Sequence, residues 1–392
     1  MPTPWLPLDG LTVVDFSMFV PGPFCSVIFA DLGAEVIKVE SIDGDPGRGY
    51  VPVQFRTANR NKRSLSINLK APQSKAIVRK LAEKADIALE GFRPGVARRL
   101  GIDYMSLAAH NARLIYCSIS GYGQTGPWKD RPGHDVNYIA AGGGLSFPGQ
   151  WLKPPSRSSL PIADMGGGSA AAAAVLAALY ERTKTGKGVE LDVSLFEAGF
   201  FWSAMRHSLS HGVDPKAHIF PVNDIFATRD GRRLTLGILE DHFWNNFVKA
   251  VGQLMPDLGA ELRDVCYSTG DLRRENGDGL SARLEQIIAM KTADEWVKVL
   301  EEADVPVDLC LTPAEAASLP QVVARKGVAE VGGAHSSERF ALFPVHANGK
   351  RGGSIRRPVP KAGEHTREIL VEIGMDDGEI AEVIRSGAVR VG

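Results

Sequence analysis

The sequence is short of most features that place a protein at first sight. Its 392 residues hold four cysteines, Cys25, Cys117, Cys266 and Cys310, and none has metal-ligand spacing. Each has apolar neighbours, which argues against a disulfide scaffold and points to reduced, buried thiols in a cytoplasmic protein. No run reaches the roughly 18 uninterrupted apolar residues of a membrane span, so no membrane partner is expected. The formal net charge is −1, which leaves no global field for nucleic acid. The start, MPTPWLPLDG, lacks a basic region followed by an apolar core, so no signal peptide is expected. No internal repeat stands out. No GxGxxG follows the first strand, which excludes a dinucleotide fingerprint there.

What is present is ordinary for a globular protein: 44% hydrophobic and 23% charged residues, with length for two or three domains. Leu11 to Phe16 reads as a buried strand, Phe24 to Leu32 as a short helix ended by Gly33, and Glu35 to Glu40 as the next strand. Strand, helix and strand fit in about thirty residues, the signature of a right-handed parallel crossover. Ser64–Leu69, Asp86–Glu90, Arg113–Ser118 and Val189–Val193 read as further strands, Ser74–Lys84 and Phe196–Leu209 as helices, and 50–58 as loop. Ile225–Thr228 and Leu234–Leu239 pair as a hairpin across Arg229-Asp230-Gly231-Arg232. Pro306–Leu311 reads as a strand closing that region, and Thr366–Gly374 and Asp377–Ser386 as terminal helices. The change of texture places a large domain at 1–210, a small domain at 222–320 and a return segment at 325–392.

The chemistry concentrates between Gly133 and Gly168. Gly133-His134-Asp135 opens the stretch, and Asp164 precedes Gly166-Gly167-Gly168 and an alanine-rich helix over Ala170–Leu179. Glycines at a helix entrance leave N–H groups bare, and a helix N-terminus collects negative charge. Imidazole, carboxylate and anion cradle together suit proton transfer beside a carbonyl. The plainer readings are a surface His–Asp pair, an Asp164 that only caps the helix, and glycines that only allow close packing. Arg60-Asn61-Lys62-Arg63, with Arg56 before it, is the densest basic cluster of the first half. It is either a solvated face or a grip for phosphates. Arg93 follows a strand's carboxyl end, where open α/β sheets bind ligands.

In order along the chain, GLTVVDFSMFVPGPFCSVIFADLGAEVIKVE, RNKRSLSINLK, EGFRPGVARRLG, LIYCSISGYGQTGP, GHDVNY and TKTGKG resemble the class III CoA-transferase (CaiB/BaiF) superfamily. Within it they are most similar to the α-methylacyl-CoA racemases. The resemblance implies an α/β fold: a Rossmann-like large domain with a parallel sheet, built from both chain ends, and a smaller α+β domain. It also implies an interlocked homodimer with shared active sites. Asp164 matches the aspartate that transferases use as nucleophile. Gly133, His134, Asp135, Asn137 and Tyr138 match the racemase segment GHD-x-NY, and Glu240 in LEDHFW matches the racemase glutamate before x-x-F. By the same resemblance Arg60, Lys62, Arg63 and Arg93 contact the phosphates and adenosine of CoA, with Lys38 assisting and Tyr138 among the CoA contacts. Ser41 stands where racemases often have a basic residue. Gly142-Gly143-Gly144 and the stretch His218–Asp224 depart from the racemase pattern. No metal is implied, and no cofactor beyond the CoA moiety of an acyl-CoA substrate.

Two activities remain open on this footing. One is racemisation of 2-methylacyl-CoA thioesters by 1,1-proton transfer through an enolate, with His134, oriented by Glu240, on one face and Asp164 on the other. The other is CoA transfer between carboxylic acids through an acyl anhydride on Asp164. A non-catalytic acyl-CoA binder is disfavoured by the joint presence of His134, Asp164 and Glu240.

Overall fold

A computed structural model describes residues 4–206, 209, 216–333 and 336–392. The chain divides into two compact units: 1–142, 159–202 and 317–392 form one, and 143–158 and 203–316 the other.

The first unit is built on a seven-stranded sheet. Its strands are β1 (Thr12–Asp15), β2 (Glu35–Glu40), β3 (Lys62–Ile67), β4 (Ile87–Glu90), β5 (Ile115–Ser120) and β6 (Val189–Ser194). The last, β14 (Val389–Arg390), comes from the chain's end. Their order is β14-β3-β2-β1-β4-β5-β6, parallel throughout except that β14 runs antiparallel to β3. Strands buried on both faces read as continuous apolar runs, as Val13, Val14, Ile37 and Leu89 do here. Each such side chain contributes about 1.5–3 kcal/mol by leaving water. β2 and β3 lie to one side of β1, and β4 and β5 to the other. The order therefore reverses between β1 and β4, and a crevice opens at the carboxyl ends of these strands.

The Ile162–Thr185 helix starts eight residues earlier than its alanines suggest. Gly166, Gly167 and Gly168 consequently lie inside it rather than at its entrance, and the plainer reading of them holds. A Cβ at Gly168 would fall 2.6 Å from the Pro21 carbonyl, so glycine lets this helix press onto the Pro21–Asp31 helix. Among the described residues it is the one helix long and apolar enough to cross a membrane. Its Gly166–Gly168, Ala171, Ala172 and Val175 surface is buried, and Arg182 near its end binds Asp86 at 2.9 Å. These are marks of a core helix.

Two parts of this unit depart from expectation. Residues 50–58, read as loop, belong to two short helices, Gly47–Tyr50 and Pro52–Asn59, the second opened by a proline at its first position. The helix expected over Phe196–Leu209 runs Leu195–Arg206, and residues 207–208 lie outside the described residues.

The second unit holds a three-stranded antiparallel sheet: β7 (Asn223–Ala227), β8 (Arg233–Gly237) and β9 (Val307–Leu309). Helices over Asp241–Leu254, Gly277–Ile288 and Ala293–Glu302 cover it around Trp244, Phe247 and Trp296. Residues 143–158 were expected in the large domain but cluster here. Trp151 explains the difference: it is 5% exposed, packs against Gly277, and donates Nε1–H to Asp278 at 2.7 Å. Its backbone N–H donates to Asp224, also at 2.7 Å. In the first unit, β10 (Val328–Gly333) and β11 (Ser336–Ala341) form a hairpin the sequence did not announce, followed by the two-residue strands β12 (His346–Ala347) and β13 (Lys350–Arg351).

Candidate active site

Two helices after β5 carry the reactive groups. His134 immediately precedes the Asp135–Ala141 helix, with an extended backbone and an exposed side chain. Asn137 closes that helix start: its Oδ1 accepts the His134 N–H at 3.0 Å, and its own N–H donates to the His134 carbonyl at 2.8 Å. Tyr138 donates its hydroxyl to the Gly133 carbonyl at 2.6 Å, which fixes the chain on the other side of His134. Glycine is required there: a Cβ at Gly133 would fall 2.7 Å from the Tyr138 ring, and one at Gly121 would fall 2.5 Å from its hydroxyl. The motif residues around His134 are thus a frame for the imidazole.

Asp164 is half-buried in the first turn of the Ile162–Thr185 helix. It does not cap that helix. Asp135 does so from the neighbouring helix, its Oδ1 accepting the N–H of Ala163 at 2.7 Å and of Asp164 at 3.3 Å. The N–H groups expected to cradle an enolate oxygen are therefore already occupied by a carboxylate. This overturns the reading of the helix start as an open anion site, and gives Asp135 a part that its place beside His134 did not suggest. One residue ties the two reactive groups together.

Electrostatics joins the same residues. Burial and, after it, the Asp164 carboxylate together push the Tyr138 hydroxyl up to about 12, with Arg93 opposing them. Arg93 is exposed on the turn after β4, so its charge reaches the same site.

A cavity of about 500 Å³ lies at the carboxyl ends of β1, β2 and β3. Ser17, Ser41, Asn68 and Lys70 line it, with Phe92 and Leu100 from the segment after β4. It sits beside the reversal of strand order, where doubly wound sheets take nucleotides. Asn68 and Lys70 went unremarked in the sequence because a residue just past a strand has no signature of its own.

The basic cluster turns inward. Lys62 is fully buried; its ammonium donates to Ser26 Oγ at 2.7 Å, Asn59 Oδ1 at 2.9 Å and Asp15 Oδ2 at 3.2 Å. Burial lowers it to about 8 despite Asp15. Burial also pushes Asp15 up, but Lys62 and Lys38 outweigh it and leave the carboxylate below its ordinary range. Arg60 forks onto Asp31 at 2.6 and 3.1 Å. Arg63 pairs with Glu35, Glu368 and Glu372 at 2.6–2.7 Å. Lys38 underlies the cavity but is paired with Asp45 at 2.7 Å and is itself buried. These four residues were expected to grip CoA phosphates. Their positive charge is instead balanced by internal carboxylates, two of which, Glu368 and Glu372, lie about 300 positions from Arg63 in the chain. Of the five cations expected at CoA, Arg93 alone is exposed.

Glu240 belongs to the second unit, just ahead of the Asp241–Leu254 helix. Its carbonyl accepts the Trp244 N–H at 3.3 Å, while its carboxylate makes no capping bond and is exposed.

The sequence also passed over Glu90, at the end of β4. Its carboxylate accepts the Phe92 N–H at 2.7 Å and so holds the turn that carries Arg93. Burial raises it to about 7 against the opposing bonds from Ser118 and Phe92, and Asp192 adds to the rise. A glutamate ending a strand before glycine was the only signal.

Known proteins fit this architecture. Residues 8–366 match the model of CoA-transferase family III. The chain is 36% identical to an acetyl-CoA:oxalate CoA-transferase from Acetobacter aceti, over 83% of this chain and 86% of that one. It is 32% identical to the human alpha-methylacyl-CoA racemase, over 96% of each. A CAIB/BAIF family protein from Brucella suis superposes with a TM-score of 0.83 at 30% identity, covering 94% of this chain and 99% of that one. A doubly wound sheet, a cavity at its switch point and a match along nearly the whole chain lead to one conclusion: the protein is an enzyme of CoA-transferase family III.

Proposed function

We propose that this enzyme epimerises 2-methylacyl-CoA thioesters by 1,1-proton transfer. The observation that supports the proposal is the clasp made by Asp135: it follows His134 in the chain and its carboxylate accepts the Ala163 and Asp164 N–H groups, so the two residues stand at helix starts joined by one side chain. One of the pair takes the α-proton, and the C–H electrons move onto the thioester carbonyl as an enolate. The other returns a proton to the opposite face, which inverts the centre. Acid and base of different chemical type suit this division. Glu240 is assigned the orientation of His134, and the CoA moiety is assigned to the cavity at β1–β3 with Arg93 at its phosphates. A homodimer with shared active sites forms part of the reading.

A second reading has Asp164 as nucleophile. Its carboxylate would attack the thioester carbonyl, release CoA thiolate and form an acyl anhydride, through which CoA passes to another acid. The glycines Gly142–Gly144 and the CoA-transferases among the relatives favour it.

Turnover in D₂O separates the two. Epimerisation places deuterium at the α-carbon of a 2-methylacyl-CoA and interconverts its epimers. His134→Ala and Asp164→Ala should then each impair exchange mainly from one epimer. Absence of α-deuterium, with hydroxylamine trapping of an acylated Asp164, would replace the first reading by the second.

A further inference from the structure

Phe19 holds a backbone conformation that its residue type resists. Its φ is 61°, in the left-handed region, where a Cβ crowds the backbone. The other non-glycine residues found there, among those described, are Asn61, Asp304, Lys326 and Asn348. Asparagine and aspartate tolerate that region, whereas a bulky aromatic residue is an outlier. Such an outlier persists only where its surroundings over-determine it.

Here the surroundings are a buried ion pair. Lys38 and Asp45 meet at 2.7 Å, each with a side chain 1% exposed. Lys38 Nζ donates to the Ser17 carbonyl at 3.1 Å, two positions before Phe19. Asp45 Oδ1 accepts the Phe19 N–H at 3.4 Å and the Gly47 N–H at 2.7 Å. Just beyond, the Val20 carbonyl accepts the Phe24 N–H at 2.8 Å as the Pro21–Asp31 helix begins. The turn is clasped on both sides, yet the ring it carries is not packed away: Phe19 is 36% exposed, whereas Ser17 is 1% exposed. Strain kept without burying the side chain points to a task for the ring.

The place of Phe19 in the fold says which task. Met18, one position before it, lines the cavity at β1–β3. Pro21, two positions after it, sets its carbonyl against Gly168. Gly168 lies four residues after Asp164 in the Ile162–Thr185 helix, and so on the same face. Met18 and Pro21 are at most about 10 Å apart along the chain, and Gly168 stands about 6 Å along the helix from Asp164. A CoA ester whose nucleotide fills the cavity and whose carbonyl reaches Asp164 therefore runs past Phe19. We infer that Lys38 and Asp45 are positioning residues that hold Phe19 strained, with its ring against the pantetheine arm of the substrate. This rests on the acyl-CoA reading above. Lys38, expected at a CoA phosphate, acts on CoA through this turn instead.

Calorimetric titration of the full-length protein with CoA, and with adenosine 3′,5′-bisphosphate, which lacks the pantetheine arm, tests it. Phe19→Gly accepts the left-handed backbone and should melt within about 4 °C of wild type, relief of strain offsetting lost ring contacts. Its CoA affinity should fall about 3- to 10-fold, while its affinity for the bisphosphate should change by less than about twofold. Phe19→Tyr keeps the ring and should bind CoA as wild type does. Lys38→Met combined with Asp45→Asn removes the clasp without stranding a charge. It should weaken CoA by a similar factor, and should add little in a Phe19→Gly background, because both changes act through one ring. A Phe19→Gly protein that binds CoA normally would overturn the proposal. So would equal weakening of both ligands, which would assign the ring to the nucleotide. Full additivity of the two sets of changes would overturn the part given to Lys38 and Asp45. If wild type does not bind CoA, the acyl-CoA reading fails first and takes this proposal with it.

Discussion

Replacing Lys62 by methionine keeps the stem and removes the charge. Lys62 and Asp15 are both fully buried, and the ammonium donates to groups from β1, the Pro21–Asp31 helix and Asn59. Without it Asp15 keeps the Ser17 N–H, the Ser17 and Ser26 hydroxyls and a more distant Lys38. Removing one partner of a buried pair typically costs 3–5 kcal/mol, because the remaining charge stays out of water. At about 2–4 °C per kcal/mol for domains of 150–250 residues, the melting temperature should fall by roughly 6–20 °C. Lys62→Met combined with Asp15→Asn should recover part of the loss, since neither charge is then stranded. Arg93→Met is the counterpart. That side chain is exposed, so stability should change by less than about 0.5 kcal/mol. CoA affinity should instead drop about 10- to 100-fold. Thermal melting and calorimetric titration with CoA, run on the same preparations, read both quantities. A Lys62→Met protein that melts like wild type and binds CoA tenfold more weakly would refute the internal assignment of the basic cluster.

Two further outcomes follow from the site. Glu90 has its folded value raised to about 7 from an ordinary 4.5, so its contribution to stability is complete below about 4.5 and is lost as pH rises through 7. The loss amounts to roughly 3 kcal/mol, and Glu90→Gln should flatten the melting temperature between pH 5 and pH 8; an unchanged slope would remove Glu90 as its source. Asp135→Ala strips the cap from the helix that carries Asp164, at a cost of about 1–2 kcal/mol. Asp135→Asn keeps an acceptor oxygen and should restore most of both stability and α-proton exchange; if the asparagine variant fares no better than alanine, the carboxylate acts through its charge and not as a cap.

Much of the fold was written in local pattern. Alternation and apolar runs marked β1 to β6 within a few residues, because a strand buried in a parallel sheet needs those side chains wherever its neighbours lie. The frame around His134 was legible as a motif as well, since Gly133, Asn137 and Tyr138 stand at fixed spacing from it. Which way a side chain faces was not. RNKR reads the same whether it meets solvent or carboxylates from the chain's end, and only the return of Glu368 and Glu372 to Arg63 made it internal. The glycines before the alanine run were compatible with an open helix entrance until the Pro21 carbonyl proved to lie against Gly168. Asp135 looked like a companion of His134, and only the approach of the next helix made it that helix's cap. The sequence by itself determined the strands β1 to β6, most of the longer helices and the stock of reactive groups. Tertiary structure decided which charges cancel one another and which remain for a ligand, because that depends on partners from other elements, up to about 300 positions away.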